Sequence, residues 1–282
     1  MSNLKPKQRS AREQFDLQAG HYNADWNRWS ETSLTWLLEH SRCSPQDRVL
    51  DVATGTGFTA LAFAPHVQEV VGIDLSPGML EQARARAASA GIANVTWEVG
   101  AAEALPYPTA SFDIVTCRVA PHHFLSIETF AAEAWRVLRP SGRLLIADTS
   151  VPDDSPEAGD WQNHVEFLRD SSHIRNYSPG EWRKVLMNPG FLIEEIARCD
   201  EAQSMNVLDW MEKSGCTGEA AVEVRSLFAT APASARREFS IEPMPDGNAH
   251  LNLPDGHVRF NLPDGNVRFK WMRVVIAARK PV

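Results

Sequence analysis

The chain has 282 residues, 43% of them hydrophobic and 23% charged, a composition that excludes collagen-like, rod-like and wholly disordered chains. Its 28 lysines and arginines stand against 36 aspartates and glutamates, a net charge of −8, so no general attraction to nucleic acid is expected. Cys43, Cys117, Cys199 and Cys216 are widely spread without a C-x-x-C pair, which points to reduced thiols in a cytoplasmic chain rather than a disulfide framework or a metal site.

Met1 to Lys7 are polar with no apolar run behind them, unlike a secretory signal, and no window approaches the ~20 apolar residues of a membrane span. Residues 8–40 read as helical and carry Trp26, Trp29 and Trp36, aromatic side chains suited to docking on a core or walling a pocket. From residue 48 short apolar runs alternate with helical stretches. Val49–Val52, Val70–Asp74, Val95–Val99, Phe112–Cys117 and Arg143–Asp148 are predicted strands. Helices are predicted from Phe58, from Ser76-Pro77 to near Gly91, and from Ser126 to Leu138, the last stopped by Pro140-Ser141-Gly142. Such alternation specifies parallel β-α-β units in a doubly wound, mostly parallel Rossmann-like α/β sheet.

Further on, Asp153–Gly159 reads as a polar loop, 160–170 as helix, and Ser178-Pro179-Gly180-Glu181 as a capping box opening another helix. Phe191–Ile196 reads as a strand and 204–230 as helix interrupted near Gly215 and Gly218. The segment 252–260 is repeated almost unchanged at 261–269, with a third Pro-Asp-Gly at Pro245-Asp246-Gly247; turn signals beside Val-Arg-Phe predict β-hairpins. A closing strand follows at Trp271–Ala277. The expected division is an N-terminal helical cover (1–44), a ligand-binding core (45–200), and a C-terminal extension (201–282).

The chemistry concentrates after the first predicted strand. Gly55-Thr56-Gly57-Phe58-Thr59-Ala60 is a G-x-G-x-x-A turn, and Asp74 lies nineteen residues beyond Gly55 at the end of the second strand. Glycines there let backbone approach a ligand at a helix N-terminus, and the carboxylate suits a ribose diol. A dinucleotide and S-adenosylmethionine could both use this arrangement. Asp51 tilts the choice, because a carboxylate beside a pyrophosphate brings two anions together, whereas an ammonium and a sulfonium favour it.

The strings VLDVATGTGFTALAF (49–63), VVGIDLSPGMLEQARARA (70–87), NVTWEVGAAEALPYPTASFDIVTCRVAPHHF (94–124) and EAWRVLRPSGRLLIADTSVPDD (133–154) resemble class I S-adenosylmethionine-dependent methyltransferases. The resemblance is to the branch of ubiquinone/menaquinone C-methyltransferases. LRDSSHIRNYSPGEW (168–182) is similar to its YcgJ-like subgroup of small bacterial enzymes. It covers roughly residues 45–200. It implies that Asp51, Ala53, Gly55 and Gly57 line the methionine half of the cofactor and that Asp74 holds the ribose. Leu75 and Met79 would then meet the adenine, Ala101, Ala102 and Glu103 would frame its edge, and Arg118 and Val119 would lie beside the reacting sulfur. Many relatives carry Asp where this chain has Ala101, so an adenine contact is expected to be replaced here.

Methyl transfer from a sulfonium is an in-line displacement that positioning alone can accelerate strongly, and a base is needed only where the nucleophile loses a proton. His122 and His123, just after the fourth strand, are candidates for that base or for shaping the loop. His173 and Arg175 are candidates for facing the substrate, and Tyr22 for closing over the cofactor. Trp26, Trp29, Trp161 and Phe167 suggest a small, partly hydrophobic acceptor. A D/N-P-P-Y/F signature is absent where the chain reads Ala120-Pro121-His122-His123, which disfavours nucleic-acid methylation. A homodimer stays open. The rival readings are a cofactor-binding module without turnover and an NAD-dependent oxidoreductase.

Overall fold

The computed structural model describes residues 9–19, 31–199, 204–244, 250–252, 258–260 and 266–282. Helix α1 (Ala11–Gln18) starts at a capping box in which Ser10 and Glu13 bond reciprocally, and α2 (Glu31–Ser41) follows. Tyr22, Trp26 and Trp29 lie outside the described residues; Trp36 stacks on His40 at 3.8 Å between ring centroids.

The alternating segment then folds as β1 (Arg48–Val52), α3 (Phe58–Phe63), β2 (Glu69–Asp74), α4 (Pro77–Ser89), β3 (Val95–Val99) and β4 (Phe112–Arg118). A 3-10 turn at Pro121–His123, α5 (Ile127–Val137) and β5 (Leu138–Thr149) complete it. The predicted helix stop at Pro140-Ser141-Gly142 is corrected: α5 ends at Val137 and the chain is already extended from Leu138. The irregular stretch is taken up as a register shift against β4, with Ser141 at φ 68°. The predicted loop at 153–159 is corrected in its second half: α6 (Pro156–Arg169) begins there. Pro156 supplies a preset first-turn φ, although Ser155 makes no side-chain cap, so the usual sign of a helix start is weak.

Beyond it come α7 (Pro179–Met187), β6 (Leu192–Arg198), β7 (Met205–Asn206), α8 (Val207–Ser214), α9 (Gly218–Ala229), α10 (Ala233–Glu238) and β8 (Glu242–Pro243). The repeats contribute β9 (His250–Asn252), β10 (Val258–Phe260) and β11 (Val267–Phe269), and the chain closes with β12 (Arg273–Arg279). β9 and β10 pair antiparallel as a hairpin would. The second Val-Arg-Phe does not join them; β11 pairs instead with β7 and β8, because Val267 and Phe269 are buried in an aromatic cluster with Trp210, Phe228 and Trp271.

The central sheet has seven strands in the order β3-β2-β1-β4-β5-β12-β6. β3, β2, β1, β4 and β5 are parallel, and β12 runs antiparallel between β5 and β6. The C-terminal segment is thus built into the core sheet. Both faces are apolar, as parallel strands covered on two sides require. Leu50, Val52, Ile73 and Val115 pack under α5 and α7 residues, while Val49, Val70, Ile114 and Leu145 pack with Leu37 and Phe63. The order of strands reverses between β1 and β4, and ligands of such sheets bind at that switch point, outside the carboxyl ends of the strands.

Candidate active site

A cavity of about 490 Å³ opens there. Ala53, Gly55, Asp74, Leu75, Met79, Ala101, Ala102, Glu103, Arg118 and Val119 line it, as does His123. Asp51, Gly57, His122 and His173 are not among its lining residues. Trp161 and Phe167 are absent from the wall as well; Trp161 packs edge-on against Phe228 and Trp271 in the C-terminal aromatic cluster.

The loop after β1 is shaped by backbone that side chains rarely adopt. Ala53, Gly55 and Gly57 have φ of 52°, 54° and 84°. A Cβ on Gly55 would meet nothing within 4 Å, whereas one on Gly57 would lie 2.6 Å from the Trp97 ring. Gly55 therefore keeps space for a ligand, and Gly57 lets α3 sit against β3. Val119 has φ 54° as well, unusual for a β-branched residue, and its N–H is held by the Ala147 carbonyl at 2.7 Å. Strained residues on both sides of one cavity mark a functional site.

Asp74 accepts hydrogen bonds from the Gly55 N–H at 2.8 Å and the Ser76 N–H at 2.9 Å, joining the glycine loop to the start of α4. Burial raises its carboxyl above the usual range. Each oxygen keeps a further lone pair for hydroxyl donors. Asp51 lies beneath the loop, 1% exposed, accepting from Thr54 Oγ1 at 2.5 Å and Thr116 Oγ1 at 2.7 Å. Burial pushes its pKa up to about 6 against those two bonds. Arg118 donates from Nε to Thr59 Oγ1 at 2.9 Å.

The adjacent histidines have opposite surroundings. His122 is buried; its N–H and its Nδ1–H donate to the two oxygens of Asp148 at 2.9 and 2.6 Å. Burial disfavours its charge, but Asp148 together with Glu166 and Asp170 outweighs burial and the pKa rises. His123 reaches the cavity, with its Nδ1 3.1 Å from Ser172 Oγ and its ring edge-on to Phe15 at 4.9 Å. Burial, and then the charge of His122, lower its pKa to about 4. His173 instead contacts Asn163 Oδ1 at 3.1 Å through Nε2, and Arg175 pairs with Glu181 at 2.7 Å.

Sequence reasoning missed the contribution of α1 as a specific wall. Arg9, Arg12 and Phe15 line the cavity, and the tether that brings them there is Asp16, whose Oδ1 accepts from Ser76 Oγ at 2.5 Å and the Gly78 N–H at 3.4 Å. A contact sixty residues apart leaves no local signal. Asp16→Ala is expected to speed amide exchange across 11–18 by roughly tenfold or more, from loss of a charge-assisted bond of about 1.5–3 kcal/mol, while exchange in β1 and β4 stays unchanged.

These features suit a ligand with a ribose and a cationic amino acid end. A diol has Asp74, a backbone-lined turn has room at Gly55, and small residues at 100–102 leave space for a flat ring.

Comparison with known proteins agrees. The methyltransferase domain family matches residues 49–142. The uncharacterized methyltransferase YcgJ of Bacillus subtilis is 35% identical over 205 residues, covering 73% of this chain and 80% of that protein. Its crystal structure superposes with a TM-score of 0.77 at 31% identity, covering 89% of this chain and 99% of that one. A demethylmenaquinone methyltransferase of Deinococcus radiodurans is 43% identical over 127 residues, 44% of this chain and 50% of that enzyme. The chain therefore belongs to the S-adenosylmethionine-dependent methyltransferases, and its expected cofactor and chemistry follow from that membership.

Proposed function

We propose that the acceptor is a small molecule with an apolar body that gives up a proton at the methylated atom, and that His123 takes that proton. The observation that carries the reading is that Phe15, Phe124, Leu125 and Ile174 line the cavity together with one uncharged imidazole, His123, whose ring meets Phe15 edge-on. The wall's two carboxylates already accept backbone N–H groups, Asp74 from Gly55 and Ser76, and Glu103 from Leu125 at 2.9 Å. The side chains beside His123 (Phe15, Phe124, Leu125 and Ile174) carry no charge to meet a cationic amine, so an O–H or activated C–H acceptor is favoured.

S-adenosylmethionine supplies an electrophilic methyl group on a sulfonium. The residues that would hold it are Asp74, Gly55, Leu75, Met79, Ala101 and Ala102, with Glu103, Arg118, Val119 and Ala53 around them. Phe15 and the other apolar residues exclude water and orient the acceptor, which can supply much of the acceleration. His123 is neutral at pH 7, so it can accept a proton. Its weak basicity is sufficient, because an oxygen or ring carbon that has gained a methyl group without losing its proton is a far stronger acid than imidazolium.

The test is transfer of labelled methyl to a panel of phenols, enolisable diketones and amines, with demethylmenaquinone included because the Deinococcus radiodurans relative is named for it. Label is expected in an organic-extractable phenol or enol, and His123→Asn is expected to lower kcat by roughly 10²–10⁴-fold with S-adenosylhomocysteine affinity unchanged. Transfer confined to amines, or full turnover in His123→Asn, would overturn the reading.

A further inference from the structure

We propose that Ser172 and Asp170 are positioning residues that fix the His123 ring as the Nδ1–H tautomer, leaving the bare Nε2 for the cavity. The proposal rests on the reading of His123 as the base. Asp170 is 5% exposed, and its Oδ1 accepts from the Ser172 N–H at 2.9 Å and from the Ser172 hydroxyl at 2.7 Å. A serine hydroxyl has a single proton. Once that proton is donated to the carboxylate, the Ser172 oxygen can only accept at its 3.1 Å contact with His123 Nδ1. The Nδ1 must then carry the hydrogen, and in an uncharged imidazole Nε2 is left as a lone pair.

Two further observations make the arrangement rigid. The Ile174 and Arg175 N–H groups both donate to the His122 carbonyl, at 2.9 and 3.2 Å, and the His173 N–H donates to the Asp170 carbonyl at 2.9 Å. The segment carrying Ser172 is thus bonded to the turn carrying His123, so the pair moves as one unit. Phe15 meets the ring edge-on at 4.9 Å, which restrains its rotation. Burial, and then His122 on its bond to Asp148, disfavour a proton on His123 and keep the ring neutral. Burial works against the charge of Asp170, while Arg169 and the two Ser172 bonds favour it, so it remains an acceptor.

The test is the ring nitrogen spectrum of the full chain labelled with ¹⁵N-histidine, with the His123 signals assigned by their disappearance in His123→Asn. In the wild type a protonated Nδ1 and an unprotonated Nε2 are expected. In Ser172→Ala the two nitrogens are expected to shift toward each other as the tautomers interconvert, and Ser172→Thr is expected to restore the wild-type pattern. An Nε2–H tautomer in the wild type, or unchanged shifts in Ser172→Ala, would overturn the proposal. The wild-type spectrum alone can do so if Ser172→Ala does not fold. Because the tautomer is read without an acceptor, its failure is distinguishable from failure of the base reading: an intact pattern beside a fully active His123→Asn overturns only the latter.

Discussion

Gly57→Ala is expected to lower stability by about 3 kcal/mol, and the melting temperature by roughly 6–10 °C, whereas Gly55→Ala costs about 1 kcal/mol and acts on cofactor binding. Both residues sit in the left-handed region, at φ 84° and 54°, where a side chain is strained by about 1–2 kcal/mol. What separates them is the surroundings of the added methyl. At Gly57 it would lie 2.6 Å from the Trp97 ring and 3.1 Å from Ala83 Cβ, so α3, α4 and β3 would have to part. At Gly55 it would meet nothing within 4 Å on a residue that lines the cavity. Thermal melts without ligand, followed by titration with S-adenosylhomocysteine, check both halves. Equal melting temperatures for the two variants would show that the contact with Trp97 relaxes at little cost.

The alternation of buried strands and helices was legible because its signals are local. Val49–Val52 and Val70–Asp74 are apolar on both faces, and Ser76-Pro77 caps α4 with a Ser76 Oγ that accepts the Met79 N–H at 3.1 Å. The glycine loop and Asp74 were legible for the same reason, since their spacing along the chain reflects one β-α-β unit. The division of labour within the site was not. His122 and His123 are neighbours in sequence, yet only the fold places Asp148 under one and Ser172 beside the other. Trp161 reads as a pocket aromatic, but the rings of Phe228, Phe239 and Trp271, 67 to 110 residues later, claim it for a core. The second copy of the Val-Arg-Phe repeat is likewise drawn away from its twin by long-range burial of Val267 and Phe269. Identical local sequence can take different partners when one copy has an apolar surface to cover.

Asp51→Asn is expected to stabilise the ligand-free protein at pH 8 while weakening its hold on the cofactor. Burial raises the Asp51 pKa from 3.8 to about 6, so ionising this carboxyl costs the fold about 3 kcal/mol at most at 1.36 kcal/mol per unit. The sign follows from the direction of the shift. A raised folded-state pKa contributes stability that is fully present below 3.8 and is lost as pH rises through about 6. Above that pH the wild type carries a buried anion whose bonds from Thr54 and Thr116 offset only part of its desolvation. An asparagine of the same shape can still accept from a threonine hydroxyl and never ionises, so its melting temperature should exceed the wild type's at pH 8 and converge with it near pH 4. Binding should move the other way. Asp51 lies just beneath the loop that lines the cavity, and its ionised form attracts a ligand bearing an ammonium group. Affinity for S-adenosylhomocysteine in the wild type should therefore tighten as pH rises from 5 to 7, and Asp51→Asn should bind more weakly at pH 7 with this pH dependence flattened. Melts and isothermal titrations across pH 4–8 check both signs. An asparagine variant that is less stable at pH 8, or that keeps the full pH dependence of binding, would remove Asp51 from this role and leave its carboxylate as a structural acceptor for Thr54 and Thr116.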